Sequence, residues 1–396
     1  MPAPSIGKSA LGRYGQFGGQ YVAPPLLPIL RNIFRAFAEA EVDSEFRSRL
    51  LLYLQRYVGR PTPIYLAESM TDRLKGAKIY LKREDLTSTG GNYVNSVLGQ
   101  CLLAKRMGFN HVIADTGSGH NGVATAAVAA KLKLKCTIFM GETDVNDQTV
   151  CVAKMLAFGA DVRAVALRGA SLHEAMSAAF QFWMSNGTSC FYVAGGPVGP
   201  HPYPTMVRNF QSVIGREVRS QLLSEEGGLP DVLLAPLGGG SSALGLFAAF
   251  LGDPGIRMVV AEGAGEGLSE GKHAIRLLNG KIGVLHGAKT YVLQDTAGQI
   301  LQATSAAAGL RYPAVAPEIA ALHQSRRIEA MAMTDHEAKQ AQERLAAEEG
   351  ILASLESSHA LAAAEAIAPL LDHTKLIVVT ITSGGEKDLA RKQAVH

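Results

Sequence analysis

Short apolar runs alternate along most of this chain with longer segments of helical period, and this alternation constrains the fold more than any other feature. The runs are "KIYLKRE", "HVIAD", "CTIFM", "DVRAVA", "CFYVA", "DVLLAPL", "IRMVVAE", "RIEAMAM" and "KLIVVTI". Strands and helices in alternation predict an α/β fold with parallel sheets flanked by helices on both faces. So many strands imply two sheets. Before them, "LLPILRNIFRAFAEA" and "DSEFRSRLLLYLQRYV" read as helices, closed by the turn "GRPTP".

At 396 residues the chain suits two domains rather than one core. The break is placed near "GPVGPHPYP", giving an N-terminal α/β domain over 60–205 and a C-terminal α/β domain built from 1–59 plus 206–396. A formal charge of +3 without a long Lys/Arg run gives no footprint for nucleic acid. Cys101, Cys136, Cys151 and Cys190 lie in apolar segments without C-x-x-C spacing, so they read as buried thiols, and neither a disulfide framework nor a metal site is expected. The opening "MPAPSIGKSALGRYGQFGGQYV" lacks the apolar centre of a signal peptide, and no apolar run is long enough for a membrane span. The expectation is a cytoplasmic protein.

Three segments can carry chemistry. In "LGGGSSALG" the glycines Gly238, Gly239 and Gly240 follow a strand and precede a helix, so backbone N–H groups converge on one anion, with Ser241 and Ser242 as added donors. In "ADTGSGHNGVATAAVAAKL" a second such turn, from Thr116 through Gly117, Ser118 and Gly119 to Asn121, can hold a carboxylate. Asp115 stands at the end of its strand, as an acid/base group beside that anion or as a loop-bracing aspartate, and His120 adds a further polar candidate. In "SLESSHALAAAEA" Glu356 reads as a first-turn helix glutamate, and "VVTITSGGEKD" offers one side-chain contact to a ligand. A fourth segment, "STGGNYVNSVLGQ", opens a helix. Asn92 is expected as its N-cap, Tyr93 at its mouth, and Val94, Val97, Leu98, Cys101 and Leu102 as its buried stripe.

The order "GRYGQFGGQYV", "GRPTPIYLAE", "IYLKREDL", "LGQCLLAKRMG", "GPHPYPTMVRNFQSVIG", "GGGSSALG", "EGIL" and "LESSHALA" resembles the tryptophan synthase β subunit, of the second fold type of pyridoxal-phosphate (PLP) enzymes. The resemblance covers nearly the whole chain and implies that fold, with a mobile region at about 108–195. At the catalytic positions the chain departs. Where the family has His-Lys, with the lysine bound to PLP as an imine, Asn92 and Tyr93 stand here, and a phenol forms no imine. The family's catalytic glutamate corresponds to Asp115, its Gln-His pair to His120 and Asn121, and its phosphate-loop asparagine to Ser242. Thr382 matches the residue facing the pyridine nitrogen, and Glu356 a glutamate near the cofactor ring. The family's arginine and aspartate that pair on closure correspond to Asp147 and Arg311, with the charges exchanged.

The reading is a diverged enzyme without covalently bound PLP, probing a small anionic, aromatic or amino-acid-derived substrate by acid/base chemistry: isomerisation, cyclisation, elimination or addition, possible in secondary metabolism. Asp115 carries the proton, assisted by Tyr93 and His120. One alternative is a lyase or synthase that binds PLP non-covalently, and another is a non-catalytic partner subunit. A homodimer is implied by the resemblance. An α-type partner is not expected, because a chain without the β reaction has no use for channelled indole.

Overall fold

The computed structural model describes residues 12–166, 171–267, 269 and 271–392, so the opening stretch 1–11, part of the segment read for a signal peptide, lies outside them. Each of the nine apolar runs forms a strand. A six-stranded sheet has the order Glu329–Thr334, Arg257–Gly265, Val232–Pro236, Leu376–Ile381, Lys78–Arg83, Ile64–Leu66. Its first five strands are parallel, and Ile64–Leu66 adds an antiparallel edge. A four-stranded, wholly parallel sheet has the order Asp161–Val165, Lys135–Gly141, His111–Thr116, Phe191–Val193. Every residue of Val232–Pro236 and Leu376–Ile381 is buried, which is why these runs show no alternation.

Two features depart from expectation. A third, antiparallel sheet joins Arg13–Tyr14, Phe17–Gly18, Ala288–Val292 and Lys281–Leu285, and two of its strands are only two residues long. The range 60–205, expected as one domain, feeds both large sheets, because Ile64–Leu66 and Lys78–Arg83 pair alongside Leu376–Ile381. An apolar run says that it will be buried, not beside which partner.

Helix Tyr93–Arg106 packs against helices His120–Leu132 and Tyr203–Gln211. Residues 94–104 are all buried, so the expected stripe is only part of the covered surface. Its polar groups are satisfied inside the core: Asn95 Nδ2 donates to Glu84 Oε2 at 2.9 Å, and Gln100 both donates to Ala194 O and accepts from Ala194 N. A buried ion network, Arg60 with Glu84 and Glu217 at 2.8 and 2.7 Å and Lys82 with Glu217 at 2.8 Å, ties strand Lys78–Arg83 to helix Val213–Glu225. Removing one partner of such a network typically costs about 3–5 kcal/mol, since the remaining charge is left buried. Among the described residues no helix is long and apolar enough to cross a membrane.

Candidate active site

A cavity with about 900 Å³ of non-protein space lies at the carboxyl ends of strands His111–Thr116, Val232–Pro236 and Leu376–Ile381, where ligands sit in open α/β sheets. It brings together Asn92, Tyr93, Asp115, Thr116, Gly117, Ser118, His120 and Asn121 from the first half of the chain. From the second half come Gly238, Gly239, Gly240, Ser241, Ser242, Glu356 and Thr382. Gly119 does not line it; a Cβ there would meet Cys151 Cβ at 2.3 Å, so this glycine serves the packing of the turn.

Two polar cradles face this space. Beside the glycine loop, Ser242 Oγ and Asn92 Nδ2 are buried without a hydrogen-bond partner. Asn92 makes no side-chain cap bond, contrary to expectation: its backbone is already helical, at φ −68° and ψ −17°, which carries the amide away from the free N–H groups. Its own N–H donates to Thr382 O at 2.9 Å, fixing the loop to the end of strand Leu376–Ile381. Ser241 Oγ is taken by Gln211 Nε2 at 2.9 Å. In the second cradle, Thr116 Oγ1 and Asn121 Oδ1 are buried without a partner, while Asn121 Nδ2 braces the turn on Asp115 O at 2.7 Å. Buried polar groups are normally paired, so four orphans around one cavity mark where a ligand's polar atoms belong.

Asp115 lines the same cavity and is 6% exposed. Burial pushes its carboxyl pKa up to about 6, although Tyr192 Oη–H donates to Oδ1 and favours the anion. Burial likewise pushes the Tyr93 phenol up to about 12, with Glu356 and Asp115 adding to it, so this phenol stays protonated at neutral pH. His120 is brought down to about 4 by burial and then by Lys387, and is a neutral imidazole.

Glu356 is not a helix-capping group. Ser354 caps its helix by accepting from Ser357 N, which leaves Glu356 to accept from Gly309 N at 2.8 Å and from Lys387 Nζ at 3.2 Å. Burial alone would raise its pKa; Lys387 and the Gly309 N–H overcome this and hold it at about 2. Lys387, also bonded to Asp388 at 2.7 Å, is buried yet kept charged by the two carboxylates. Thr382 Oγ1 lies 3.0 Å from Ser357 Oγ. Sequence reasoning missed Lys387, Tyr192 and Tyr312. The signal for the first was a lysine two residues after the "SGG" turn, and for the others a tyrosine inside or beside a buried run. Arg311 Nη1 is 3.9 Å from Asp147 Oδ2 and closer, at 3.5 Å, to Asp144 Oδ1, a partner that the sequence had not suggested.

The profile of the family described as "pyridoxal-phosphate dependent enzyme" matches residues 56–383. The chain is 49% identical over 379 residues to a tryptophan synthase beta chain of Rhodopseudomonas palustris (strain BisA53), covering 96% of this chain and 94% of that one. This chain belongs to the tryptophan synthase β-like pyridoxal-phosphate enzymes. A second tryptophan synthase beta chain, from Rhodopseudomonas palustris (strain HaA2), is 48% identical over 384 residues, 97% of this chain and 95% of that one. Among solved structures, the O-ureido-L-serine-bound lysine mutant of O-ureido-L-serine synthase shares the fold, with a TM-score of 0.61, 19% identity, and coverage of 86% of this chain and 92% of that one.

The residues present fit the family's cofactor in part. Ser242 Oγ and Asn92 Nδ2, orphaned beside the glycine loop, would be free to hold a phosphate, and the Thr382 hydroxyl would be available to a ring nitrogen. Among the described residues no lysine lines the cavity, and Lys387 is engaged by Glu356 and Asp388.

Proposed function

We propose that the chain is an enzyme that moves a proton on a small anionic substrate, aromatic or derived from an amino acid, without an imine between protein and cofactor. The observation that carries this reading is one buried carboxyl, Asp115, lining the same cavity as two turns with orphaned polar atoms. The turn from Thr116 to Asn121 grips the substrate carboxylate, and the loop from Gly238 to Ser242 grips a phosphate or a second anion. Asp115, ionised above about pH 6, takes a proton, while Tyr93 and His120 line the same space as neutral groups, the phenol able to donate. Burial of these groups keeps water from competing. One proton taken and one returned suffices for an isomerisation, cyclisation, elimination or addition. A lyase or isomerase of this kind, working as a cytoplasmic homodimer in secondary metabolism and independent of an α-type subunit, fits the resemblance and the departures together. Closure of the region about 108–195 over the ligand, with Asp147 meeting Arg311, belongs to the same proposal.

A second reading is favoured by one observation: the phosphate cradle keeps its orphaned donors. In that reading PLP is held non-covalently and, when bound, supplies an electron sink to an amino-acid substrate. The visible spectrum of the purified protein decides between the two. The expected result is no cofactor band that survives dialysis, and substrate turnover unchanged by added PLP; a retained band or PLP-dependent turnover overturns the first reading. Asp115→Asn is expected to lower kcat by about 10²-fold or more and to abolish the rise in activity as pH passes about 6.

A further inference from the structure

The hairpin between Lys281–Leu285 and Ala288–Val292 turns on two residues, His286 and Gly287, at φ +44° and +86°. Two successive left-handed residues make the turn that such hairpins favour, and asparagine followed by glycine is its easiest occupant. A histidine there carries a strained backbone, so its side chain must be used. Its Nδ1 lies 3.0 Å from Tyr312 Oη, and its Nε2 lies 3.1 Å from Ser177 Oγ.

The direction of these bonds follows from proton counting. The Ser177 hydroxyl donates to His173 O at 3.0 Å, and a hydroxyl has one proton. Ser177 Oγ therefore accepts from His286 Nε2–H. Burial, and then His173, bring the His286 pKa down to about 3, so the ring is neutral and Nδ1 is an acceptor. All three bonds form together only when Tyr312 Oη–H points at Nδ1. The two rings also stack, 17° from parallel with centroids 5.9 Å apart, which holds the phenol in place.

Tyr312 is buried and lines the cavity with Asp115, Leu172 and Met176. With its proton directed at His286, its oxygen has only lone pairs to offer a ligand. The neighbouring Tyr192 spends its proton on Asp115. Resting on the reading of this cavity as a small-molecule site, we propose that Tyr312 is a specificity-determining residue, fixed by His286 as a hydrogen-bond acceptor, and that it selects ring ligands carrying an N–H or O–H donor.

The test compares indole with benzofuran, rings of matching shape that differ in N–H against O, by equilibrium binding to the purified protein. Wild type is expected to bind indole about tenfold more tightly, because an acceptor facing an ether oxygen is left unpaired. Tyr312→Phe is expected to bring the ratio near unity. His286→Asn suits the left-handed turn, so it preserves the fold, and it releases the phenol proton; its ratio is expected to fall as well. Equal affinities in wild type, a preference for benzofuran, no binding of either ring, or a ratio unchanged in Tyr312→Phe overturns the proposal. These ratios need no turnover. A protein that discriminates as expected yet keeps full activity in Asp115→Asn would sink the acid/base reading alone.

Discussion

Asp115 binds its proton more tightly in the folded protein than an aspartate does in an unfolded chain, because burial disfavours the anion by more than the Tyr192 hydrogen bond restores. The folded-state pKa of about 6 lies above the ordinary 3.8. The stabilising contribution of the proton is thus full below 3.8 and is lost as pH rises through about 6. Asp115→Asn stays neutral throughout, so its stability relative to wild type is expected to improve by on the order of 2–3 kcal/mol between about pH 4 and pH 7. Denaturant melts at the two pH values check this; a constant difference would place the titration elsewhere. The residues of the glycine loop and of the turn after Asp115 were legible because a strand end, a small-residue turn and a helix start are contiguous in sequence. Tyr192 and Tyr312 were not, since each reaches the cavity from a segment whose local pattern reports only burial, and Lys387, which does not line it, acts on Glu356 from a polar turn. Glu356 was placed by the resemblance rather than by its own pattern, because a glutamate in a first helical turn looks the same whether it faces solvent or a buried lysine.

At the level of elements, nine strands could be read because each is an apolar run, most of them almost wholly enclosed, whereas the third sheet rests on two-residue strands too short for any period to show. The turn into helix His120–Leu132 shows how tightly such an element is specified. Gly119 has φ +85°, and a Cβ there would meet Cys151 Cβ at 2.3 Å; Gly159 has φ +81° with nothing within 4 Å. Alanine at either position carries the backbone cost of about 1–2 kcal/mol, but only Gly119→Ala adds an overlap, of about 1–3 kcal/mol. Thermal melts of both variants separate the two terms. Gly119→Ala is also expected to weaken binding of a carboxylate ligand, because the N–H groups of this turn shift with it, while Gly159→Ala leaves affinity unchanged. Equal behaviour of the two would mean that Cys151 moves aside freely.

For the whole molecule, the question is how the half built on the four-stranded sheet meets the half built on the six-stranded one over a ligand. Helix Glu142–Asp147 follows strand Lys135–Gly141 of the smaller sheet, while Arg311 follows the short helix Ala308–Leu310, whose Gly309 is bonded to Glu356. Arg311 faces Asp144 at 3.5 Å and Asp147 at 3.9 Å, and the proposed closure over a ligand runs through this contact. Asp144 is 2% exposed and its Oδ2 lies 3.4 Å from where a Gly117 Cβ would stand, so the same contact abuts the turn from Thr116 to Asn121. Reversing the cation, Arg311→Asp, sets three carboxylates against one another and is expected to lower kcat/KM by about tenfold, equivalent to about 1.4 kcal/mol, with faster ligand release. Asp147→Arg in that background restores opposite charges and is expected to recover most of the loss, though not all, because Asp144 stays beside the new aspartate. Stopped-flow ligand release, measured alongside turnover, separates closure from chemistry. An Arg311→Asp protein with unchanged release and turnover would show that these charges take no part in closing the site.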